Sequence, residues 1–307
     1  MKKISFVIAV YRNKGSISKT HEKIRDVFTK TLKGYDYEII FVDDGSDDGS
    51  LKEILEAKKS DPHIKAISFT RNFGQMAAML AGLKEATGNA VINVSADLQD
   101  PIELVPQMVK KWSQGSEIVV CYRTGRSDNF AAKFFSRIAY ELLRLSYPEL
   151  PSGGFDYVLI DRRALDEYNS VDIRNRCFQG DLLWYGFRTS FIPYVRLKRT
   201  IGKSQYNFTK KLKNFLDTFL DVSFLPTRFI SMSGIVTLLF NVVYISVILY
   251  LKFLKNIEVP SFTPVIMVVL FVGGMLMIML GLIGEYIWRI YSELRMKPNY
   301  VIRQKYL

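Results

Sequence analysis

Glu38-Ile39-Ile40-Phe41-Val42-Asp43-Asp44-Gly45-Ser46-Asp47-Asp48-Gly49-Ser50 passes from an apolar, β-branched run to carboxylates and glycines within a few positions. Such a run reads as a strand buried on both faces that ends in a tight loop. Paired carboxylates at a strand's carboxyl end, here Asp43 and Asp44, suit a ribose or base edge and, with further ligands, a metal. The glycines after them let backbone approach closely. For Asp47, Asp48 and Ser50 the plainer reading is preferred, a solvated turn that caps the next helix.

Working outward, similar apolar runs begin near Ile4, Tyr37, Ile64, Ala90 and Glu117, about 26 to 33 residues apart. Helical patterns such as Gln75–Ala86 and Ile102–Trp112 lie between them. That alternation predicts an α/β fold with βαβ units and a mainly parallel sheet, whose ligands bind outside the carboxyl ends of the strands. The fourth run, Ala90-Val91-Ile92-Asn93-Val94-Ser95, leads to Ala96-Asp97-Leu98-Gln99-Asp100-Pro101. In an extended segment Asp97 and Gln99 point to one side, where a carboxylate and an amide oxygen can hold Mg²⁺ or Mn²⁺ beside a substrate diphosphate. Asp100-Pro101 reads as a helix start, with Asp100 as the N-cap.

The 307 residues are 49% hydrophobic and 23% charged, which excludes disorder and collagen-like repetition. Lys and Arg number 42 against 30 acidic residues, a net charge of +12 that points to an anionic partner. Two cysteines, Cys121 and Cys177, make neither a disulfide framework nor a zinc cluster. Met1–Val7 reads as a first strand and not as a cleavable signal. His21 and His63 lie away from every motif and are expected on the surface.

Phe229–Leu251 and Phe262–Gly284 each run 23 residues without a charged side chain, enough to cross a bilayer. Ahead of them, Phe208, Leu212, Phe215, Leu216, Phe219 and Leu220 share a helical face with Lys210, Lys211 and Lys213 elsewhere around it, a pattern for an interfacial helix. The alternative is a helix packed on the soluble domain. Arg289, Arg295, Lys297, Arg303 and Lys305 follow the second span, so the positive-inside bias puts the tail and the N-terminal domain in the cytoplasm. Tyr286, Trp288 and Tyr291 would anchor the interface, and Met275, Met277 and Met279 would meet lipid or another helix.

Phe6-Val7-Ile8-Ala9-Val10-Tyr11, Val42-Asp43-Asp44-Gly45-Ser46, Phe69-Thr70-Arg71-Asn72-Phe73-Gly74 and Ala96–Pro101 form an ordered set. Arg196-Leu197-Lys198-Arg199-Thr200-Ile201-Gly202-Lys203-Ser204-Gln205-Tyr206 and Gly284–Tyr291 extend it. The whole resembles the inverting family-two glycosyltransferases of GT-A fold. Within these it resembles the polyprenyl-phosphate glycosyltransferases, the group of bactoprenol glucosyltransferases and dolichol-phosphate mannose synthases. The resemblance implies a GT-A domain over 1–205, an interfacial helix over 206–228, two transmembrane helices over 229–284 and a basic cytoplasmic tail over 285–307.

The resemblance also implies site roles. Asp43, Asp44, Ser46 and Arg71 would bind the nucleotide donor, Asp97 and Gln99 the metal and diphosphate, and Asp156 would join Asp97 as a catalytic residue. Arg123, Lys133, Ser136, Arg196, Arg199 and Ser204 would meet the acceptor and diphosphate phosphates. The chain departs from the family at Ser95, where a further Asp is common, and at Phe155 and Val158, where Gly and Arg are common. The implied reaction moves one sugar from a nucleotide-diphosphate sugar to a polyprenyl phosphate of the undecaprenyl type, with inversion, for cell-envelope glycan modification at the bacterial plasma membrane. A flippase, a second glycosyltransferase or a second copy of the chain are the candidate partners, and nucleic acid is not one.

Two alternatives stay open. A processive polysaccharide synthase would carry a Gln-x-x-Arg-Trp motif, whereas Gln179-Gly180-Asp181-Leu182-Leu183-Trp184 has Gln and Trp without that spacing or the Arg. A catalytically silent membrane subunit that binds nucleotide or lipid phosphate is the other.

Overall fold

Strands β1 (Lys2–Val10) and β2 (Tyr35–Asp43) pair in parallel from Lys2↔Tyr35 to Val10↔Asp43. β3 (Ile64–Phe69) lies parallel beside β2, and β4 (Ala90–Asn93) lies parallel on the other side of β1. The eight-stranded sheet has the order β7-β5-β6-β4-β1-β2-β3-β8. Its members β5 (Ile118–Gly125) and β7 (Thr189–Val195) are parallel, while β6 (Tyr157–Asp161) and β8 (Ile302–Tyr306) run antiparallel to their neighbours. The mainly parallel α/β sheet expected from the sequence is therefore present. The computed structural model describes residues 1–125, 147–151, 154–171, 177–197, 262–295 and 297–307, with shorter runs inside 141–144 and 232–253.

Both faces of the sheet are covered, which is why the strands are apolar at successive positions. Ile39 and Phe41 face a core with Phe6, Ile8, Ile17, Ile24 and Phe28, closed by α1 (Ile17–Lys30), α2 (Ser50–Ser60) and α4 (Val105–Ser113). Ile40 and Val42 face the other core, closed by α3 (Gln75–Glu85), α5 (Arg162–Ser170) and α6 (Phe178–Trp184). A one-residue slip of β2 would exchange these sets, so register is strongly specified. The helix expected over Ile102–Trp112 is split. A 3₁₀ turn covers Ile102–Leu104, and the α-helix begins at Val105 because Pro106 fits only a first turn.

Polar groups stitch the amino ends of the strands. The buried Glu38 carboxylate accepts from Ser5 Oγ at 2.6 Å and from Thr87 N at 2.7 Å, and pairs with Lys65 Nζ at 2.8 Å. His21 is buried, not on the surface as expected. Its Nε2 sits 2.8 Å from Asp61 Oδ2, and the same carboxylate accepts from Tyr37 OH and His63 N. An apolar face of α1 without another acceptor would leave that imidazole unsatisfied, and Asp61 supplies the acceptor.

The chain divides into two compact units, Met1–Val222 with Pro298–Leu307, and Ser223–Lys297. In the second, α7 (Thr263–Leu294) contains Phe271–Trp288, a stretch of 18 residues that is apolar and unburied. At about 1.5 Å per residue it approaches the thickness of a hydrocarbon core. It is the one helix among the described residues long and apolar enough to span. Of the other expected span, the residues that are described, scattered between Met232 and Tyr250, are helical, and the rest lies outside the described residues. The interfacial helix over 206–228 lies outside them as well. The stretch 285–307 is not one tail: it continues α7 to Leu294, then returns to the sheet as β8.

Burial alone would raise the Glu38 carboxyl, but the hydrogen bonds from Lys65, Ser5 and Thr87 outweigh it and bring it down to about 2. Because the folded value is below the unfolded one, this stabilisation is complete above about pH 5 and drains away as the pH falls toward the folded value. It amounts to about 3 kcal/mol. Glu38→Gln should lower the thermal midpoint of the detergent-solubilised protein at pH 7 and weaken its decline between about pH 5 and pH 3. Unfolding followed by circular dichroism across that range checks this.

Candidate active site

Because β2 and β4 lie on opposite sides of β1, the loops after these three strands open at one edge, where strand order reverses. Such a switch point forms a crevice. Arg12 and Leu98 sit just beyond β1 and β4 with φ of 53° and 59°, the only positive values among described non-glycine residues. Backbone of this kind persists where surrounding contacts over-determine it.

On the β2 side, Asp44 N donates to Val10 O at 2.8 Å, which fixes the turn. The Asp44 carboxylate accepts from Phe73 N at 2.6 Å and Gly74 N at 2.9 Å, so both oxygens anchor the loop after β3. Gly45 lies against that loop with φ +69°, and a Cβ there would meet the Arg71 carbonyl carbon at 2.5 Å. Asp43 is buried and takes long contacts from Ser46 N, at 3.3 and 3.4 Å. Burial pushes both carboxyls up; the Ser46 contacts partly offset this for Asp43, and the two backbone amides do so for Asp44. Ser46 Oγ accepts from Arg12 N, and Arg71 is exposed with its guanidinium 4.8 Å from the Phe73 ring centroid. Asp48 accepts from Ser50 N and Oγ, and Asp47 pairs with Arg12, as residues of a turn, but the expected side-chain cap is not made: α2 has Gly49, in a left-handed conformation, as its N-cap.

On the β4 side, the segment is not extended. Leu98 is left-handed and Asp97 Oδ1 accepts from Gln99 N at 3.2 Å, so Asp97 and Gln99 sit on a turn and not on alternate positions of a strand. Asp100 is not an N-cap: Pro101 occupies that position without a side-chain cap bond. The Asp100 carboxylate instead accepts from Ser95 N, Ser95 Oγ and Tyr194 OH, closing the loop on itself. Leu197 N donates to Gln99 O, and Gln99 Nε2 donates to Leu197 O. That exchange brings Arg196 beside the loop, with its Nε buried and without a hydrogen-bond partner among the described residues.

Asp156 precedes the antiparallel β6, so the start of that strand lies where its parallel neighbours end. Asn93 Nδ2 holds its carbonyl at 2.8 Å. Its carboxylate accepts from Arg123 Nη2 at 2.9 Å and from Gln179 Nε2 at 3.4 Å. The Arg123 side chain is 9% exposed and that of Asp156 49%. Although burial opposes the Arg123 charge, Asp156 and Tyr194 outweigh it and push the guanidinium pKa up. Gln179, Asn93 and Tyr194 were not among the expected site residues. The Gln was visible in the sequence but lay in a motif with the wrong spacing. Lys133, Ser136, Arg199 and Ser204 lie outside the described residues.

Residues 5–168 match the family described as Glycosyl transferase family 2. The chain belongs to glycosyl transferase family 2. It is 34% identical over 304 residues to the uncharacterized glycosyltransferase YkcC of Bacillus subtilis, covering 98% of this chain and 94% of that one. It is 33% identical over 304 residues to the prophage bactoprenol glucosyl transferase homolog of Escherichia coli, covering 98% and 99%. In fold it is similar to glucosyl-3-phosphoglycerate synthase from Mycobacterium tuberculosis solved with phosphoglyceric acid, with TM-score 0.54, 17% identity and coverage of 72% and 79%. The protein is a glycosyltransferase with a GT-A-like sheet.

Family 2 chemistry raises the question of a divalent cation. No cluster of three or more His, Cys, Asp or Glu side chains suited to a metal occurs among the described residues. Asp97 and the Gln99 amide oxygen fit a cation that takes few protein ligands and completes its shell with water and phosphate, as Mg²⁺ does. Gln99 Nε2 is spent on Leu197 O, so the amide's orientation is set.

An Asp at position 95, in place of Ser95, would stand against the Asp100 carboxylate, which lies 2.5 Å from Ser95 Oγ. Ser95→Asp should therefore lower the thermal midpoint, at a cost of about 1–3 kcal/mol for the lost bond to a buried charge. Differential scanning fluorimetry with and without Mn²⁺ checks it, and the expected loss persists in both.

Proposed function

We propose that this family 2 glycosyltransferase transfers a single sugar from a nucleotide-diphosphate sugar to a membrane polyprenyl phosphate, with inversion at the anomeric carbon. One observation carries the reading most: the Nε of Arg196 beside the Asp97–Gln99 turn, buried and without a hydrogen-bond partner among the described residues. A buried guanidinium donor without a partner suits a phosphate oxygen, whose geometry matches the arginine fork. The bactoprenol glucosyl transferase homolog that resembles the chain along nearly its whole length supports the acceptor class.

Asp43 and Ser46 bind the nucleoside, Arg71 lies on the same rim, and Asp44 sets the loop that carries Arg71. Asp97 and Gln99 would hold a divalent cation, whose charge would offset that of the diphosphate. An acceptor phosphate oxygen attacks the anomeric carbon from the face opposite the diphosphate. The new carbon–oxygen bond forms as the sugar–diphosphate bond breaks, and the nucleoside diphosphate leaves with the electron pair. A phosphate monoester, with a second pKa of about 6, is already largely anionic at neutral pH, so the nucleophile needs little help from a base. Asp156 therefore orients the acceptor side through Arg123, while Arg123 and Arg196 balance phosphate charge. Lys133, Ser136, Arg199 and Ser204 complete the phosphate contacts. Phe229–Leu251 and Phe262–Gly284 both span the plasma membrane, and the segment 206–228 lies at its cytoplasmic surface, where a long isoprenoid presents its phosphate.

The test is a panel of nucleotide sugars offered to the detergent-solubilised protein with a short polyprenyl phosphate, with and without Mg²⁺ or Mn²⁺, the lipid product being identified by mass. One sugar per lipid is expected. A ladder of longer products would indicate a processive synthase, and binding without turnover a silent subunit. Asp97→Ala should reduce turnover about a hundredfold, the scale of losing one electrostatic partner of the reacting charge.

A further inference from the structure

Arg123 does not reach Asp156 unaided. Its Nε lies 3.4 Å from Tyr194 OH, and Tyr194 is its register partner across β5 and β7. Tyr194 OH in turn donates to Asp100 Oδ1 at 2.9 Å, while Asp100 Oδ2 takes Ser95 N and Oγ. One line of contacts thus joins the loop that carries Asp97 and Gln99 to the Arg123–Asp156 pair. Its middle members are buried, Tyr194 and Asp100 being 5% and 3% exposed. The hydroxyl suits its centre because one oxygen both donates to the carboxylate and accepts from the guanidinium. Burial and the Asp100 charge push the Tyr194 hydroxyl pKa well above the usual phenol range, so it keeps the proton that the arrangement requires.

We infer that Tyr194 is a positioning residue: through its hydroxyl it sets the Arg123 guanidinium so that the edge carrying Nε and Nη2 is held by Tyr194 and Asp156 and the Nη1 end is turned to the acceptor phosphate. This rests on the proposed reading of Arg123 and Asp156 as the acceptor side of the site. Asp100 is the fixed point of the device. Its carboxylate is tied to the donor-side loop, so the donor and acceptor halves keep one spacing while the chemistry passes between them. The ring of Tyr194 has a separate structural task, since it packs edge-on against Tyr157 at 6.0 Å. Tyr194→Phe keeps that packing and removes only the hydroxyl.

The experiment is a double-mutant cycle on the full-length protein in detergent, with Tyr194→Phe, Arg123→Lys and the pair. KM for donor and for acceptor are measured separately, with the thermal midpoint of each variant alongside. Tyr194→Phe should lower kcat/KM for the polyprenyl phosphate about tenfold, the scale of losing one hydrogen bond to a charged group, and leave the donor KM unchanged. In the Arg123→Lys background the same change should have almost no further effect. Additive losses, or a loss confined to donor KM, would overturn the inference. If Tyr194→Phe fails to fold, Ser95→Ala loosens Asp100 from its other end, and a selective fall in acceptor kcat/KM is expected there too; an unchanged acceptor kcat/KM would count against it. Absence of any lipid-linked sugar from the unaltered protein would instead count against the proposed acceptor.

Discussion

The position of β1 is the constraint on which the site depends. It is paired in parallel on both sides, with β2 along its whole length and with β4 over Ile4↔Ala90 to Val7↔Asn93. Apolar residues on both faces of these strands fix the register, so the loops after them must open together. β6 then adds what a purely parallel sheet would not. Running the other way, it presents its first residues at this edge, and Asp156 arrives beside the turn that follows β4. Asp97, after a parallel strand, and Asp156, ahead of the reversed one, share one edge of the sheet because one strand is reversed.

Charge is divided at that edge by what each carboxylate already accepts. Asp44 and Asp100 are saturated by backbone amides or hydroxyls and act on the loops that hold other residues. Among the described residues Asp43 draws its hydrogen bonds from Ser46 alone, and Asp156, though it accepts from Arg123 and Gln179, is half exposed. A buried carboxylate without donors is costly, whereas hydrogen bonds to an ionised group stabilise it by roughly 1.5–3 kcal/mol each. Saturation therefore separates residues that build the site from those left to face a ligand. By this measure Asp44 is first of all an architectural residue, whatever it touches on the donor.

Much of this was legible from the chain. Ile39–Val42 and Val91–Val94 announce buried strands, and Asp43 and Asp97 stand where those strands end. What could not be read depends on partners distant in sequence. Asp100 looked like a helix cap because Asp-Pro suits one, but Tyr194 and the Ser95 backbone offer it more donors than the next turn does. Asp97 and Gln99 looked extended because Leu98 gives no hint of a left-handed backbone, which the Gln99–Leu197 exchange imposes. β7 is half exposed and β8 is separated from its partner β3 by most of the chain, so neither has the continuous apolar signature of a central strand. His21 is buried only because Asp61 and Tyr37 are there to receive it.

The net charge of +12 first suggested only an anionic partner. The structure narrows how part of that charge is used. Arg123 is committed along one edge, Nε to Tyr194 and Nη2 to Asp156, whereas Arg196 has a buried donor with nothing to satisfy it among the described residues. A hydroxyl acceptor would need a carboxylate ready to take its proton, and Asp156, with both oxygens accepting hydrogen bonds from Arg123 and Gln179, is arranged for orientation. A phosphate acceptor reverses the requirement: it brings its own negative charge and asks for guanidinium groups held at fixed positions. The arrangement of Arg123, Arg196 and Asp156 fits the second demand better than the first, and that preference follows from hydrogen-bond geometry independently of the names of similar proteins.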